Sequence, residues 1–254
     1  MRISTFLAAL LFCAQAAFAH DMWLEPHSFD GKMGEPVELR LLVGDHGRVH
    51  DERPLGLDRA FRFQLYDNGK FSEVRYPDGM GTVVMERLPA YITFDSEKFN
   101  AYAAEEGHRH RAPAGMRVRE RYTRHIKTIV FGSEARDDDF KRPVGMVLEL
   151  IPLDDPRRVS AGDSFALLAL FEGNPLPGAR IAVYANGVEQ VVRTNRQGQA
   201  TFRVDQPGAI LVRTTLLRPW RCDDADYESF WAALTFENRA SPRNSKGGLS
   251  AARE

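Results

Sequence analysis

Histidine is the residue type in this chain most open to a chemical role. Seven histidines are present, and His20 follows Ala17-Phe18-Ala19 directly. Small residues three places and one place before a peptide bond are the pattern at which exported proteins are cut. Upstream, Met1-Arg2 supplies a positive charge, and Ile3 to Phe18 is apolar apart from Ser4, Thr5 and Gln15. Residues 1–19 are therefore expected to be a secretory signal peptide, too short in its apolar core to remain a membrane anchor. Cleavage after Ala19 would make His20 the amino terminus, in the periplasm. A terminal histidine offers its α-amine and imidazole Nδ1 from one residue, and together they close a six-membered chelate ring on a transition metal.

Further donors have to come from loops. Asp45-His46 follows a predicted strand, and His50 lies four residues on. The metal ligands expected from the sequence are therefore His20, His46 and His50. Three or four nitrogen donors suit nickel, cobalt or copper. His27 would face away from His20 if strand alternation holds from residue 20. His108 and His110 sit among arginines that repel a cation, and are expected to be a solvated loop. Asp223, Asp224 and Asp226 lack the spacing and glycine of a calcium loop. Cys222 has no partner motif to make it a nucleophile.

The elements that must position these donors read as mostly β. An extended segment from residue 20, a turn at residues 30–34 and a strand over residues 37–43 form an antiparallel hairpin. Its facing positions sum to roughly 65, setting His20 opposite Asp45 and His46. Strands are predicted over residues 61–66, 82–85 and 90–94. A helix capped by Asp95 or Ser96 follows, with Phe99, Tyr102 and Ala103 on one face, and ends at Gly107. Residues 108–121 read as a basic loop, residues 122–131 as a segment beginning helical and finishing as a strand, and residues 134–142 as a charged linker. Short strands punctuated by turns then follow, at residues 147–152, 164–171, 180–185, 191–194, 199–204 and 209–215. The expected fold is all-β: two β-sandwich (Ig-like) domains, residues 20–143 and 144–239, with a short helical insertion near residues 96–107 in the first. Residues 240–254 are an expected disordered tail. Trp23, Trp220, Tyr227, Phe230 and Trp231 are expected in the core.

Composition narrows the function. The chain has 254 residues, 43% apolar and 27% charged, with net charge −1. It has length for one large or two medium cores, and its charge offers nucleic acid no basic field. Two cysteines, one inside the leader, exclude a disulfide scaffold. No nucleophile elbow, phosphate loop, His-Glu-x-x-His or paired-cysteine pattern is present, so no catalytic role is expected.

Several stretches together resemble a known family. They are His20-Asp21-x-Trp23-Leu24-x-Pro26, Gly34-Glu35-Pro36-Val37, Leu41-x-Val43-Gly44 and Glu97-Lys98-Phe99-x-Ala101-Tyr102-x-x-Glu105-Glu106-Gly107. Arg119-Glu120-Arg121-Tyr122-Thr123-Arg124, Arg142-Pro143-Val144-Gly145, Leu148-Glu149-Leu150-Ile151-Pro152 and the closing Tyr227-Glu228-Ser229-Phe230-Trp231 continue the likeness. The family is an exported bacterial domain of unknown function often labelled a periplasmic component of cobalt or nickel uptake. The second half resembles carboxypeptidase-regulatory-like or transthyretin-like sandwiches. The resemblance implies a periplasmic protein that binds or delivers nickel or cobalt, serving a membrane metal transporter without inserting into the membrane after cleavage. The alternatives are a non-catalytic interaction module whose basic 108–127 face meets a protein partner, and, further behind, a copper enzyme built on the terminal histidine.

Overall fold

A computed structural model describes residues 20–132, 139–220 and 222–238. The expected leader, the tail from residue 240 and most of the charged linker lie outside these. The first half contains β1 (Asp21–Pro26), β2 (Leu39–Asp45), β3 (Arg48–Arg53), β4 (Ala60–Asp67), β5 (Lys70–Ser72), β6 (Met80–Arg87), β7 (Ala90–Asp95), helix α1 (Ser96–Glu105) and β8 (Arg117–Phe131). The second contains β9 (Leu148–Pro152), β10 (Ser164–Phe171), β11 (Asn174–Pro175), β12 (Arg180–Ala185), β13 (Val188–Arg193), β14 (Gln199–Arg203), β15 (Gly208–Pro219) and β16 (Tyr227–Asn238).

These strands form three layers. The large middle sheet runs β13-β12-β15-β16-β8-β6-β4-β5, with β7 also on β8. A three-stranded sheet β1-β2-β3 covers one face, and a four-stranded sheet of β9, β10, β11 and β14 covers the other. Side-chain alternation allocates the two cores. Ile129, Phe131, Ile181, Val183, Phe230, Leu234 and Phe236 pack toward β9 and β10, while Ile126, Val130, Ala182, Tyr184 and Ala233 pack toward Trp23, Leu41 and Leu42. Two-sided burial explains why β16 reads as a near-continuous apolar run over residues 230–236, and why β8 is buried without a break from Thr123 to Phe131 although it carries Arg124, His125 and Lys127.

The fold is the all-β sandwich expected, with the helix where its cap and Gly107 placed it. Two local expectations are corrected. Residues 122–131 are strand throughout, without a helical start, because β6 and β16 hydrogen-bond the segment from both sides. Residues 117–121, read as part of the basic loop, open the same strand, since Arg119 meets Asp226 and Arg121 meets Glu228. Neutralised in this way, a charge-rich run can join a ladder. The sheet also crosses residue 143: β8 pairs in parallel with β16 from Tyr227↔Glu120 to Thr235↔Thr128, so strands of both halves share one ladder.

A buried ion pair joins the middle sheet to β9. Lys127 Nζ donates to Glu149 Oε1 at 2.9 Å, and both side chains are almost wholly buried. The same carboxylate accepts the backbone N–H groups of Val144, Gly145 and Met146 at 2.8, 3.1 and 3.2 Å, gathering the chain just after residue 143. Glu149→Ala strands an ammonium and three amides, and is expected to cost about 3–5 kcal/mol in urea unfolding, while Lys127→Met with Glu149→Leu recovers only the ammonium's share, since the three amides still lack an acceptor.

Candidate metal site

The β1–β2 hairpin has the register the alternation implied. Asp21 pairs with Gly44 and Leu24 with Leu41, a constant sum of 65 that sets His20 against Asp45. The imidazole Nδ1 of His20 lies 3.0 and 2.9 Å from Asp45 Oδ1 and Oδ2.

β3, which carries His50, was not anticipated. A two-residue turn, His46-Gly47, joins it to β2, with φ of 52° and 70°. Both central residues being left-handed matches the twist of tight hairpins, and histidine tolerates that region better than most residues. Gly44 pairs with Val49 but Val43 with Asp51, so His50 is left without a partner as the extra residue of a bulge. A Cβ on Gly44 would come within 1.8 Å of the Arg48 carbonyl oxygen, so glycine is required where the strands close. His50 Nδ1 thereby sits 3.4 Å from Asp45 Oδ2, its ring edge-on to that of His20.

His20, Asp45 and His50 each present a donor atom within 4.8 Å of the others. Two donors each ~2.1 Å from one ion are ~3.0 Å apart at a right angle and ~3.4 Å apart in a tetrahedron. The 2.9 and 3.4 Å separations fall on that scale. Side-chain exposures of 37%, 31% and 48% leave the cluster open on one side. His46 is outside this trio. Its Nε2 lies 3.2 Å from Glu105 Oε1 and its Nδ1 3.7 Å from Glu189 Oε2. Sequence spacing favoured His46 because it adjoins Asp45, but the left-handed turn sends the side chain away to α1 and β13. Nothing in the local sequence pairs residue 46 with residues 105 and 189.

Two buried arginines hold the beginning of β1. Arg124 donates to the His20 carbonyl at 2.8 Å. Arg213 Nε lies 2.9 Å from Asp21 Oδ2, while its Nη1 donates to both oxygens of Glu106 at 2.8 and 2.7 Å. Burial opposes the Arg213 charge, but Glu106 and Asp21 outweigh it and hold the guanidinium firmly protonated. Burial pushes the Asp21 carboxyl up to about 7, against the attraction of an arginine that Glu106 shares. Arg213 thus ties β1, the end of α1 and β15 together directly behind the donor cluster. A cavity of about 340 Å³ lies in front, lined by Asp45, His46, Arg48, His50, Tyr102, Glu105 and their neighbours.

Behind the cavity wall, Tyr102 stacks on Trp231 and donates to Glu120 Oε1 at 3.3 Å, an oxygen that also accepts from Ser229. Burial raises the Glu120 carboxyl from about 4.5 to about 7, despite those hydrogen bonds.

The other candidates are accounted for by contacts within the fold. Asp224 accepts from Tyr91 and Trp220, and Asp226 from Arg119, so the acidic stretch is a hydrogen-bonded loop. Cys222 is exposed and free, and His27 is exposed. His108, expected in solvent, is instead half-buried, and burial pulls its imidazole down to about 4. His125 is buried between Glu86 and Thr123, with Phe230 stacked on it. No helix among the described residues is long and apolar enough to cross a membrane.

Two outcomes follow from the buried charges. Arg213→Met leaves Asp21 and Glu106 without their cation, and is expected to cost about 3–5 kcal/mol in urea unfolding, with lost amide-exchange protection in β1. For Glu120 the native carboxyl keeps its proton to about pH 7, whereas the unfolded one releases it near 4.5. The native state therefore binds more protons between those values, so stability falls as pH rises through that window and levels off above it. Glu120→Gln should make the pH 5 to pH 8 decline in unfolding free energy, read by urea denaturation, shallower than in the parent by on the order of 3 kcal/mol.

Residues 17–217 match the family described as a domain of unknown function, DUF4198, a span that includes the donor cluster, α1 and Arg213. No curated protein matches the chain. The chain belongs to the DUF4198 family of domains of unknown function.

Proposed function

We propose that the protein is a periplasmic transition-metal binding or delivery protein, taking nickel or cobalt as its cargo and passing it to a membrane metal transporter. The observation that carries this reading is which atom of His20 faces the cluster. Nδ1, rather than Nε2, lies against Asp45, and Nδ1 is the nitrogen that forms a six-membered ring with the residue's own α-amine. Once the bond after Ala19 is cut, that amine joins His20 Nδ1, His50 Nδ1 and an Asp45 oxygen as donors. Three nitrogens and one oxygen suit Ni(II), Co(II), Cu(II) and Zn(II), and copper binds most tightly wherever all are equally available. Nickel or cobalt cargo is then a matter of supply.

Partial exposure supports delivery over permanent retention. Structural metal sites are enclosed by four protein ligands, whereas exchanging sites keep an open side. Here His20, Asp45 and His50 remain about a third to a half exposed. The arginines behind the cluster hold its backbone while leaving the donors accessible.

The test is isothermal titration of the chain beginning at His20 with each of the four metals, beside a chain carrying one extra residue before it. The extension keeps the imidazole but turns the amine into an amide. Binding is expected to weaken on the order of a hundredfold, about 2.8 kcal/mol. His50→Ala should weaken it too. Equal, weak binding in both chains overturns the reading and leaves a partner-binding sandwich in its place.

A further inference from the structure

We propose that the same cavity holds a second, weaker cation position, formed by His46 and Glu105, which exchanges ions with the His20 cluster. This inference rests on the reading of that cluster as a metal site.

Three elements remote in sequence meet at His46: the β2–β3 turn, the last residue of α1 and the second residue of β13. Each ring nitrogen faces a different carboxylate, at 3.2 Å for Glu105 and 3.7 Å for Glu189. The shorter separation is the edge expected of two donors sharing one ion, on the scale already met at His20. The turn that directs His46 there is held in the left-handed region, with φ of 52°. A histidine in that position is tolerated, but it is less favourable than the Asn or Gly usual in such turns. His46 and Glu105 are also 51% and 42% exposed, so an ion could reach them from solvent.

The charge balance of the cavity favours a cation. Arg213 is occupied by Asp21 and Glu106. That leaves Asp45, Glu105 and Arg48 on the wall of a space of about 340 Å³, which His46 and His50 also line. Two imidazole–carboxylate sets on one cavity permit handover: a divalent ion held loosely at His46 lies within the space that Asp45 and His50 also line. With one nitrogen and one or two carboxylate oxygens, the His46 set has fewer nitrogens than the His20 set. It is therefore the weaker of the two for Ni(II) or Co(II).

The experiment counts Co(II) bound to the chain beginning at His20, by equilibrium dialysis with metal analysis, for the parent, His46→Asn, Glu105→Gln and the chain with one residue added before His20. Asparagine accepts the left-handed turn, and Glu105→Gln leaves the hairpin untouched, so either variant reports if the other fails to fold. Two ions per parent chain are expected, one tight and one weak. His46→Asn and Glu105→Gln should each keep only the tight ion, and the extended chain only the weak one. One ion in the parent, lost in the extended chain and unaffected by Glu105→Gln, overturns the second position while the His20 reading stands. Loss of the tight ion in His46→Asn also overturns it, by making His46 a ligand of the first site. No bound ion in the parent overturns both.

Discussion

A sheet covered on both faces has to neutralise its charges within the protein, and the architecture follows from how this one does so. The middle sheet carries Glu86, Glu120, Arg124, His125, Lys127, Arg213 and Glu228, all buried. Burying an unpaired ion costs several kcal/mol, so each of these has to meet a counter-charge or hydrogen-bond donors. Their partners come largely from other elements. Glu86 holds Arg62 and His125, Glu228 takes Arg121 and Arg218, Lys127 takes Glu149, and Arg213 takes Asp21 and Glu106. Lys127 thereby fastens the four-stranded layer at β9, and Arg213 fastens the three-stranded layer at β1 together with the helix. Apolar contact supplies most of the attraction between layers, since each fully buried Phe or Leu contributes about 1.5–3 kcal/mol. The ion pairs determine the alignment, because a displaced layer would leave a charge stranded.

The donor cluster sits at the margin of this arrangement. Immediately behind His20 lie two buried guanidiniums, one on its carbonyl and one on the neighbouring Asp21. The first residue of a sheet's outermost strand frays unless tied down. Here the tie is electrostatic and acts on the backbone of His20 and the side chain after it, so the His20 imidazole remains free for Asp45 and His50. A rigid base with accessible donors is what the proposed ion-exchanging site needs, and β1, only six residues long, supplies it through these contacts.

Burial also separates structural polar groups from functional ones. Thr123, His125 and Glu86 make a hydrogen-bonded chain of the residue types found in catalytic relays. Each is less than a tenth exposed, and Phe230 stacks on the imidazole, so the chain serves the interior of the sheet. Asp45, His46 and His50 have the opposite character, partly exposed on the wall of a shared cavity. Glu120 and Tyr102 lie between these cases. Tyr102 contributes to the cavity wall while its hydroxyl is turned inward to a carboxyl that burial keeps largely protonated.

Much of the strand plan was legible because alternation and turn residues are local properties. The strands at residues 164–171 and 180–185 and the helix beginning at Ser96 are where the pattern put them. So is the β1–β2 register, since strand period and turn position together fix which residues face each other. That was enough to place His20 against Asp45. His50 was expected beside His20 from its place four residues after His46, but the route by which it reaches Asp45 was not legible, because it depends on a tight turn at His46-Gly47 and a bulge beside Gly44, neither of which leaves a hydrophobic pattern. Glu105, Glu189 and the Arg213 clamp were likewise invisible, being contacts between elements tens of residues apart that only packing brings together. By itself the sequence determined the donor types, many of the strand spans and one register, all set by neighbours along the chain. The tertiary structure decided which donors share a site, because that depends on how three layers stack around a sheet whose charges must be paired.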